Sequence, residues 1–166
     1  MKYWITTDTH FYHENMVNLC HRPVDFHNII VNNWLNQVNK EDLVIHLGDV
    51  SFSNDLVVDR LPGRKILIKG NHDKKSYSYY MSHGFDFCCE TFTLNYAGLD
   101  IVFSHKPLIF HEHDVNIHGH LHDCAKIDSV CNHWPVALEF NKYTLEDLNT
   151  IAQKIVKKKQ EAEKSA

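Results

Sequence analysis

The chain has 166 residues, with 17 basic and 21 acidic side chains, a formal net charge of −4 and 43% hydrophobic residues. This composition is ordinary for a soluble globular protein, and the negative charge argues against broad binding to a nucleic-acid backbone. A chain of this length is expected to form one domain, over residues 1–166, around its own core. Histidine is the outlier, with 14 residues, and it indicates metal binding because histidine is the commonest metal ligand.

The cysteines and the apolar segments indicate the cellular compartment of the protein. Its five cysteines form no C-x-x-C pair, so a zinc–thiolate site is not expected. No apolar run approaches the ~20 residues that span a bilayer, and the segment MKYWITTDTH becomes polar too early for a secretory signal. We therefore expect a cytoplasmic protein with reduced thiols and no membrane partner.

The first half of the chain alternates between predicted strands and helices. Apolar runs and helical spacing of apolar residues distinguish the two. Strands are predicted over residues 2–7, 42–47 and 64–69. Helices are predicted over residues 25–38, 53–61 and 75–82.

The second half changes to hairpin patterning. Residues 90–105 alternate polar and apolar side chains on both sides of a tight turn, which predicts a hairpin. A strand is predicted over 115–120, one or two more within 126–140, and a closing helix over 144–159, with a frayed helical tail at 155–166. Together the elements predict an α/β fold in which helices flank two packed mixed sheets, an α/β/β/α sandwich.

Potential metal ligands collect where the predicted strands end. Ligand sites of layered α/β proteins lie at the carboxyl ends of strands, so a fold that gathers these ends would make one site. Residues 120 and 122 project to the same side of an extended segment. The segments are DTH (Asp8, His10), GD (Asp49), GNHD (Asn71, His72, Asp73), SH (His105) and GHLH (His120, His122). A histidine-rich polar loop without metal is the alternative reading of the last segment.

In this order, D-x-H, G-D, G-N-H-D, a lone histidine after a strand, and G-H-x-H resemble the motifs of the calcineurin-like metallophosphoesterase superfamily. The match covers residues 8–122. The segment DTHFYHENMV…CHRP further resembles the small single-domain bacterial and phage phosphoesterases of that superfamily.

The resemblance implies two divalent metal ions bridged by one carboxylate. The implied ligands of the first ion are Asp8, His10, Asp49 and His122, and those of the second are Asp49, Asn71, His105 and His120. Mixed carboxylate, amide and imidazole ligands suit manganese, iron, zinc or nickel better than calcium, and manganese is the expected metal.

The implied function is that of a metal-dependent phosphoesterase, a hydrolase whose dinuclear centre activates water for attack on a phosphodiester or phosphomonoester. A phosphodiesterase is favoured, acting on a small phosphorylated substrate such as a nucleotide. The protein-phosphatase branch is disfavoured, because it has GNHE in place of GNHD. The alternative is a non-catalytic scaffold or protein-binding module of the same fold. Such modules lose ligands, whereas this sequence keeps the whole set.

Family analogy gives His72 the task of protonating the leaving oxygen or stabilising charge there, with Asp73 orienting its ring. Three further residues are predicted substrate contacts, each against a structural alternative. Arg22 is the favoured phosphate clamp, because an arginine binds phosphate bidentately. Lys106 follows His105 directly, and Asn15 lies one turn beyond the first ligands.

Two other histidines, His46 and His118, fall inside predicted strands. We expect them to be core residues that brace the ligands. The sequence leaves the oligomeric state open.

Overall fold

The computed structural model describes residues 1–54, 56–122 and 132–165. The strands are β1 (Tyr3–Thr6), β2 (Leu43–His46), β3 (Arg64–Ile68), β4 (Phe87–Cys89), β5 (Thr91–Tyr96), β6 (Leu99–Ser104), β7 (Val115–His118), β8 (His133–Pro135) and β9 (Glu146–Asp147). The helices are α1 (Met16–Leu19), α2 (Phe26–Gln37), α3 (Tyr77–Met81) and α4 (Leu148–Ser165), with 3₁₀ turns at Val57–Arg60 and Leu138–Phe140.

The first sheet has the strand order β4-β3-β2-β1-β9. Strands β1 to β4 run parallel, and β9 pairs antiparallel with β1. In the parallel register Thr6 lies beside His46, and His46 beside Leu67. The carboxyl ends of these strands therefore meet at one edge, which brings the loops after β1, β2 and β3 together.

The second sheet has the order β5-β6-β7-β8. Strands β5 and β6 form the predicted antiparallel hairpin, whereas β6, β7 and β8 run parallel. Ser104 lies beside His118 in the register of β6 and β7. The residues that follow these two strands, 105 and 119–122, are consequently neighbours.

Alternate residues of the first sheet pack on opposite sides of it. Trp4, Val44 and Leu67 join a core with residues of α2, including Ile30 and Trp34. Their sequence neighbours Ile5, Ile45 and Ile68 face the second sheet. They form the other core together with residues of that sheet, such as Ile101, Phe103 and Ile117. One face of α4 completes this second core through Leu148, Ile151 and Ile155. The predicted fold class, α/β with two packed mixed sheets flanked by helices, is confirmed.

Local boundaries differ from the sequence prediction in several places. The helix expected over 53–61 is only a 3₁₀ turn, and the closing helix begins at Leu148 because the preceding residues form β9. Helix α1 and strand β9 were not predicted. Within 126–140 the structure shows β8, and residues 126–131 lie outside the described part of the chain. No helix among the described residues is both long enough and apolar enough to cross a bilayer.

Candidate metal centre

Most of the predicted ligands share an unusual backbone conformation. A non-glycine residue in the left-handed region costs free energy, and such residues cluster at functional sites. The φ angles are 48° at Asp8, 45° at His10, 56° at Asp49, 72° at His120 and 47° at His122. The loops after β1, β2 and β7 are therefore sharply bent where the ligands lie.

Asp8, His10 and His122 form a first group, whose ligand atoms all lie within 4.8 Å of one another. The Thr7 hydroxyl and the His120 backbone N–H both donate to Asp8 Oδ2. The other oxygen, Oδ1, is buried without a hydrogen-bond partner and lies 3.6 Å from Nε2 of His10 and 3.6 Å from Nε2 of His122. Both ring nitrogens of His10 are likewise buried and unpartnered. Buried polar atoms are normally satisfied, so this group fits a cation that would pair with them.

Asp49, His105 and His120 form a second group, again with ligand atoms within 4.8 Å of one another. His105 donates its Nδ1 proton to the Leu47 carbonyl oxygen at 2.7 Å. In the neutral ring, Nε2 then carries a lone pair, and it faces Asn71 Oδ1 at 3.0 Å and His120 Nδ1 at 3.1 Å. The Nε2 lone pair of His105 and the Asn71 oxygen thus face each other, and a cation between them would be bound by both.

The Asp49 carboxylate lies between the two groups. Its Oδ1 accepts the His72 backbone N–H at 2.8 Å, which fixes the orientation of the side chain. Its Oδ2 lies 3.7 Å from His10 Nε2 and 3.5 Å from His105 Nε2. One oxygen thus faces ligands of both groups, as the bridging role requires.

The surrounding imidazoles hold Asp8 in its ionised form. Burial by itself raises the pKa of this carboxyl, but the nearby rings of His10, His105 and His122 outweigh it and leave the pKa below its ordinary value. An ionised carboxylate is the form that binds a metal ion.

Two glycines allow the loops to approach this closely. A side chain at Gly119 would overlap Thr7 Oγ1 and lie 2.6 Å from Asp8 Oδ2. One at Gly70 would overlap the Asp49 carboxylate and lie 2.5 Å from its backbone nitrogen. The glycines in GHLH and GNHD therefore serve the packing of the ligand loops.

Arg22, predicted to contact a substrate phosphate, lies in the protein interior. Its guanidinium is fully buried and pairs with Glu139 through Nη2 at 2.7 Å and Nε at 2.9 Å. It also donates to the backbone carbonyls of Asp8 at 2.8 Å and Thr9 at 3.2 Å. The prediction that Arg22 clamps a substrate phosphate is therefore wrong, because its donors are used inside the protein.

Glu139 connects this arginine to the first ligand group. Its Oε1 accepts the His122 Nδ1 proton at 3.2 Å, which leaves Nε2 of His122 free to face Asp8. Cys20, His122 and Glu139 also lie within 4.8 Å of one another. Since Arg22 already neutralises Glu139, we assign the carboxylate to bracing His122. Sequence analysis missed Glu139, although it follows β8 closely, as other site residues follow their strands.

Asp73 also has a role other than the one predicted. Its Oδ2 accepts the backbone N–H groups of Asp49 at 2.7 Å and Gly70 at 2.8 Å, and its Oδ1 accepts that of Val50 at 3.1 Å. The carboxylate therefore joins the GD and GNHD loops rather than orienting the His72 ring. Burial raises its pKa.

His72 is exposed beside the centre, and its ring centroid lies 5.7 Å from that of His10 and 5.1 Å from that of Phe52. Lys106 is exposed and close enough to His120 for its charge to help lower the pKa of that ring, after the larger effects of burial and His105. Asn15 is exposed at the start of α1, and its substrate contact stays a prediction.

The strand histidines belong to the interior, as predicted. His46 accepts the Gly48 N–H through Nδ1 at 3.1 Å, and its Nε2 lies 3.1 Å from the Thr9 hydroxyl. Burial lowers the pKa of His46 to about 3 and that of His118 to about 4. Both rings are therefore neutral at physiological pH.

Together, the fold and the site define an α/β two-sheet protein with two adjoining groups of potential metal ligands. A solved structure of AQ665 from Aquifex aeolicus, described as a protein of unknown function, is similar at 30% identity and a TM-score of 0.78. The match covers 92% of this chain and 98% of that one, and the chain belongs to the same family as the Aquifex protein.

Other comparisons extend the likeness without assigning an activity. The uncharacterised protein MJ1445 of Methanocaldococcus jannaschii is 30% identical in an alignment 117 residues long that covers 58% of this chain. The chain spans only 65% of the length of that relative. A solved archaeal phosphodiesterase is similar at 20% identity over 82% of each chain, with a TM-score of 0.47, which is too slight a likeness to carry an assignment. No protein-family model matches the chain.

Proposed function

We propose that the protein is a metal-dependent phosphoesterase that hydrolyses a phosphodiester or phosphomonoester, with diesters preferred. The observation that carries the proposal is the pair of ligand groups that meet at Asp49 Oδ2, 3.7 Å from His10 Nε2 and 3.5 Å from His105 Nε2. A carboxylate placed between two sets of imidazoles suits two adjacent divalent cations, and manganese is the expected ion.

The residues present would divide between the ions as the resemblance implies. One ion would be held by Asp8, His10, Asp49 and His122, and the other by Asp49, Asn71, His105 and His120. When bound, such ions supply Lewis-acid chemistry that activates water and neutralises negative charge on phosphate oxygens.

Other side chains would act on the substrate directly. The exposed ring of His72 lies beside the first ligand group, where it can give a proton to the leaving oxygen. Lys106 adds a positive charge near His120 that attracts a phosphate. The buried pair of Arg22 and Glu139 keeps His122 in the tautomer that leaves Nε2 unprotonated.

Elemental analysis tests the metal centre first. Protein purified without chelator and reloaded with manganese should carry two ions per chain, and Asp86→Asn, at a half-exposed surface acid, should carry the same number. A content that stays at zero would remove the basis of the proposal. Hydrolysis of bis(p-nitrophenyl) phosphate should exceed that of p-nitrophenyl phosphate.

The scaffold alternative makes a different prediction for the same protein. Two ions without turnover of any ester, in a screen of phosphodiesters, phosphomonoesters and nucleotides against several divalent metals, would favour a non-catalytic module.

A further inference from the structure

A cavity of about 300 Å³ opens next to the candidate centre, with His72 in its wall. Its other described lining residues include Phe52, Ser53, Lys74, Lys75 and Tyr79. A second cavity, of about 710 Å³, is larger and has Trp4, Trp134 and Phe140 in its wall, but it contains none of the predicted ligands. Of these two cavities, the smaller one adjoins the proposed chemistry through His72.

The side of this cavity nearest the centre is aromatic. The Phe52 ring is 47% exposed, and its centroid lies 3.9 Å from that of His13 and 5.5 Å from that of His10. These histidines fix the ring beside the ligands while a large part of its surface stays accessible. An exposed aromatic ring in a cavity wall can stack on a planar group of a ligand.

The same cavity carries positive charge. Lys74 and Lys75 directly follow the GNHD segment, and both side chains are exposed. The Lys74 backbone N–H donates to the His72 carbonyl at 2.9 Å, which holds the backbone of Lys74 close to His72. Lys75 Nζ lies 5.5 Å from the Tyr79 ring centroid. On a chain of net charge −4, adjacent lysines in a cavity wall provide a local site for an anion.

We infer that this cavity is the leaving-group subsite and accepts a planar aromatic group that carries a further anionic group, the chemical class of a nucleotide. The inference rests on the proposed function, because His72 stands between the ligand groups and the cavity and would protonate whatever leaves toward it. In the reaction, water would attack phosphorus and lose a proton to solvent, the P–O bond to the leaving oxygen would break, and that oxygen would take a proton from His72, which solvent then replaces. The released product would then be a nucleotide held between Phe52 and the lysines.

Calorimetric titration of the full chain, with and without manganese, tests the subsite by binding rather than turnover. The probes are adenosine 5′-monophosphate, adenosine and ribose 5-phosphate, which carry ring and anion, ring alone, and anion alone. Adenosine 5′-monophosphate should bind about 10-fold more tightly than either of the others. Phe52→Ala should weaken its binding about 5-fold or more, because stacking on an aromatic side chain is lost. The same variant should leave ribose 5-phosphate unaffected.

The double variant Lys74→Ala/Lys75→Ala should weaken adenosine 5′-monophosphate and ribose 5-phosphate but not adenosine. Matched controls are Phe140→Ala, an exposed ring in the larger cavity, and Lys40→Ala, an exposed lysine outside the lining of either cavity, and both should bind like the wild type. Inorganic phosphate binding with manganese should not change in Phe52→Ala.

Equal binding of the three probes to the wild type, or unchanged binding in the Phe52 and lysine variants, would overturn the subsite. Hydrolysis of phosphoesters together with equal binding of the three probes would overturn the subsite alone. Binding of that probe with these variant effects, but without hydrolysis of any ester, would overturn the proposed function and leave the subsite standing.

Discussion

Replacing Arg22 by methionine separates a buried structural arginine from a substrate clamp. The side chain is fully buried, and Glu139 beside it is 6% exposed. Methionine keeps much of the apolar volume but removes the donors to Glu139 and to the carbonyls of Asp8 and Thr9. The Glu139 carboxylate is then left buried without its cation.

The expected cost follows from this arrangement. Removing one partner of a buried, hydrogen-bonded ion pair destabilises a protein by about 3–5 kcal/mol. With a urea m-value of about 2 kcal/mol/M, this lowers the unfolding midpoint by about 2 M. Since Glu139 orients His122, manganese affinity at the first site should also fall about 10- to 100-fold.

The assay is urea unfolding of metal-free protein at pH 7, followed by manganese titration of the folded variant. Arg64→Met is the matched control, because that arginine is 70% exposed and lies 3.7 Å from Asp86, so its loss should cost about 0–1 kcal/mol. If Arg22→Met were as stable as the control and only raised KM, Arg22 would be a substrate contact and our assignment would be refuted.

Three further predictions concern the ligands, the proposed acid and the fold. Asp49→Asn should weaken both ion sites together and Asp8→Asn chiefly the first, as measured by manganese stoichiometry; two tightly held ions in Asp49→Asn would contradict the bridge. His72→Ala should keep its metal but lower kcat about 10²–10⁴-fold for an alkyl phosphodiester and less for a nitrophenyl one, whose leaving group needs no proton; equal losses would mean that His72 only stabilises charge. Burial alone raises the pKa of Asp42, but N–H donors from Lys2, Asn39 and Trp4 lower it to about 2. The ionised carboxylate therefore stabilises the fold above about pH 4, and this contribution is lost as the pH falls toward 2. Asp42→Asn should lose less stability than the wild type between about pH 4 and pH 2, as measured by urea unfolding at both pH values.

Much of the centre could be predicted from the sequence because its signals are local. Each ligand follows a strand within a few residues, and parallel strands deliver their carboxyl ends to one edge. Asp8 and Asp49 therefore meet wherever β1 and β2 pair in parallel, whereas His105 follows β6 of the second sheet and reaches them through the packing of the two sheets. The glycines next to Asn71 and His120 were visible in the same segments, and the close contacts of Gly70 and Gly119 give their physical reason.

The environment of the side chains could not be predicted in this way. Arg22 and Glu139 are 117 positions apart, and no pattern around either one indicates the other. An arginine before a proline is equally compatible with a phosphate clamp and with a buried ion pair. Asp73 similarly lies beside His72 in sequence, yet its oxygens accept N–H groups from the adjoining GD loop as well as its own.

The sequence by itself determined the fold class and which residues follow the strand ends, since both depend on patterns of a few neighbouring residues. Only the tertiary structure decided which of these polar residues are exposed to a substrate and which are used inside the protein. That choice depends on burial and on partners distant in the chain. It turned Arg22 into a brace for His122, and it placed Phe52 and the lysines of the adjoining loop in one cavity wall beside His72.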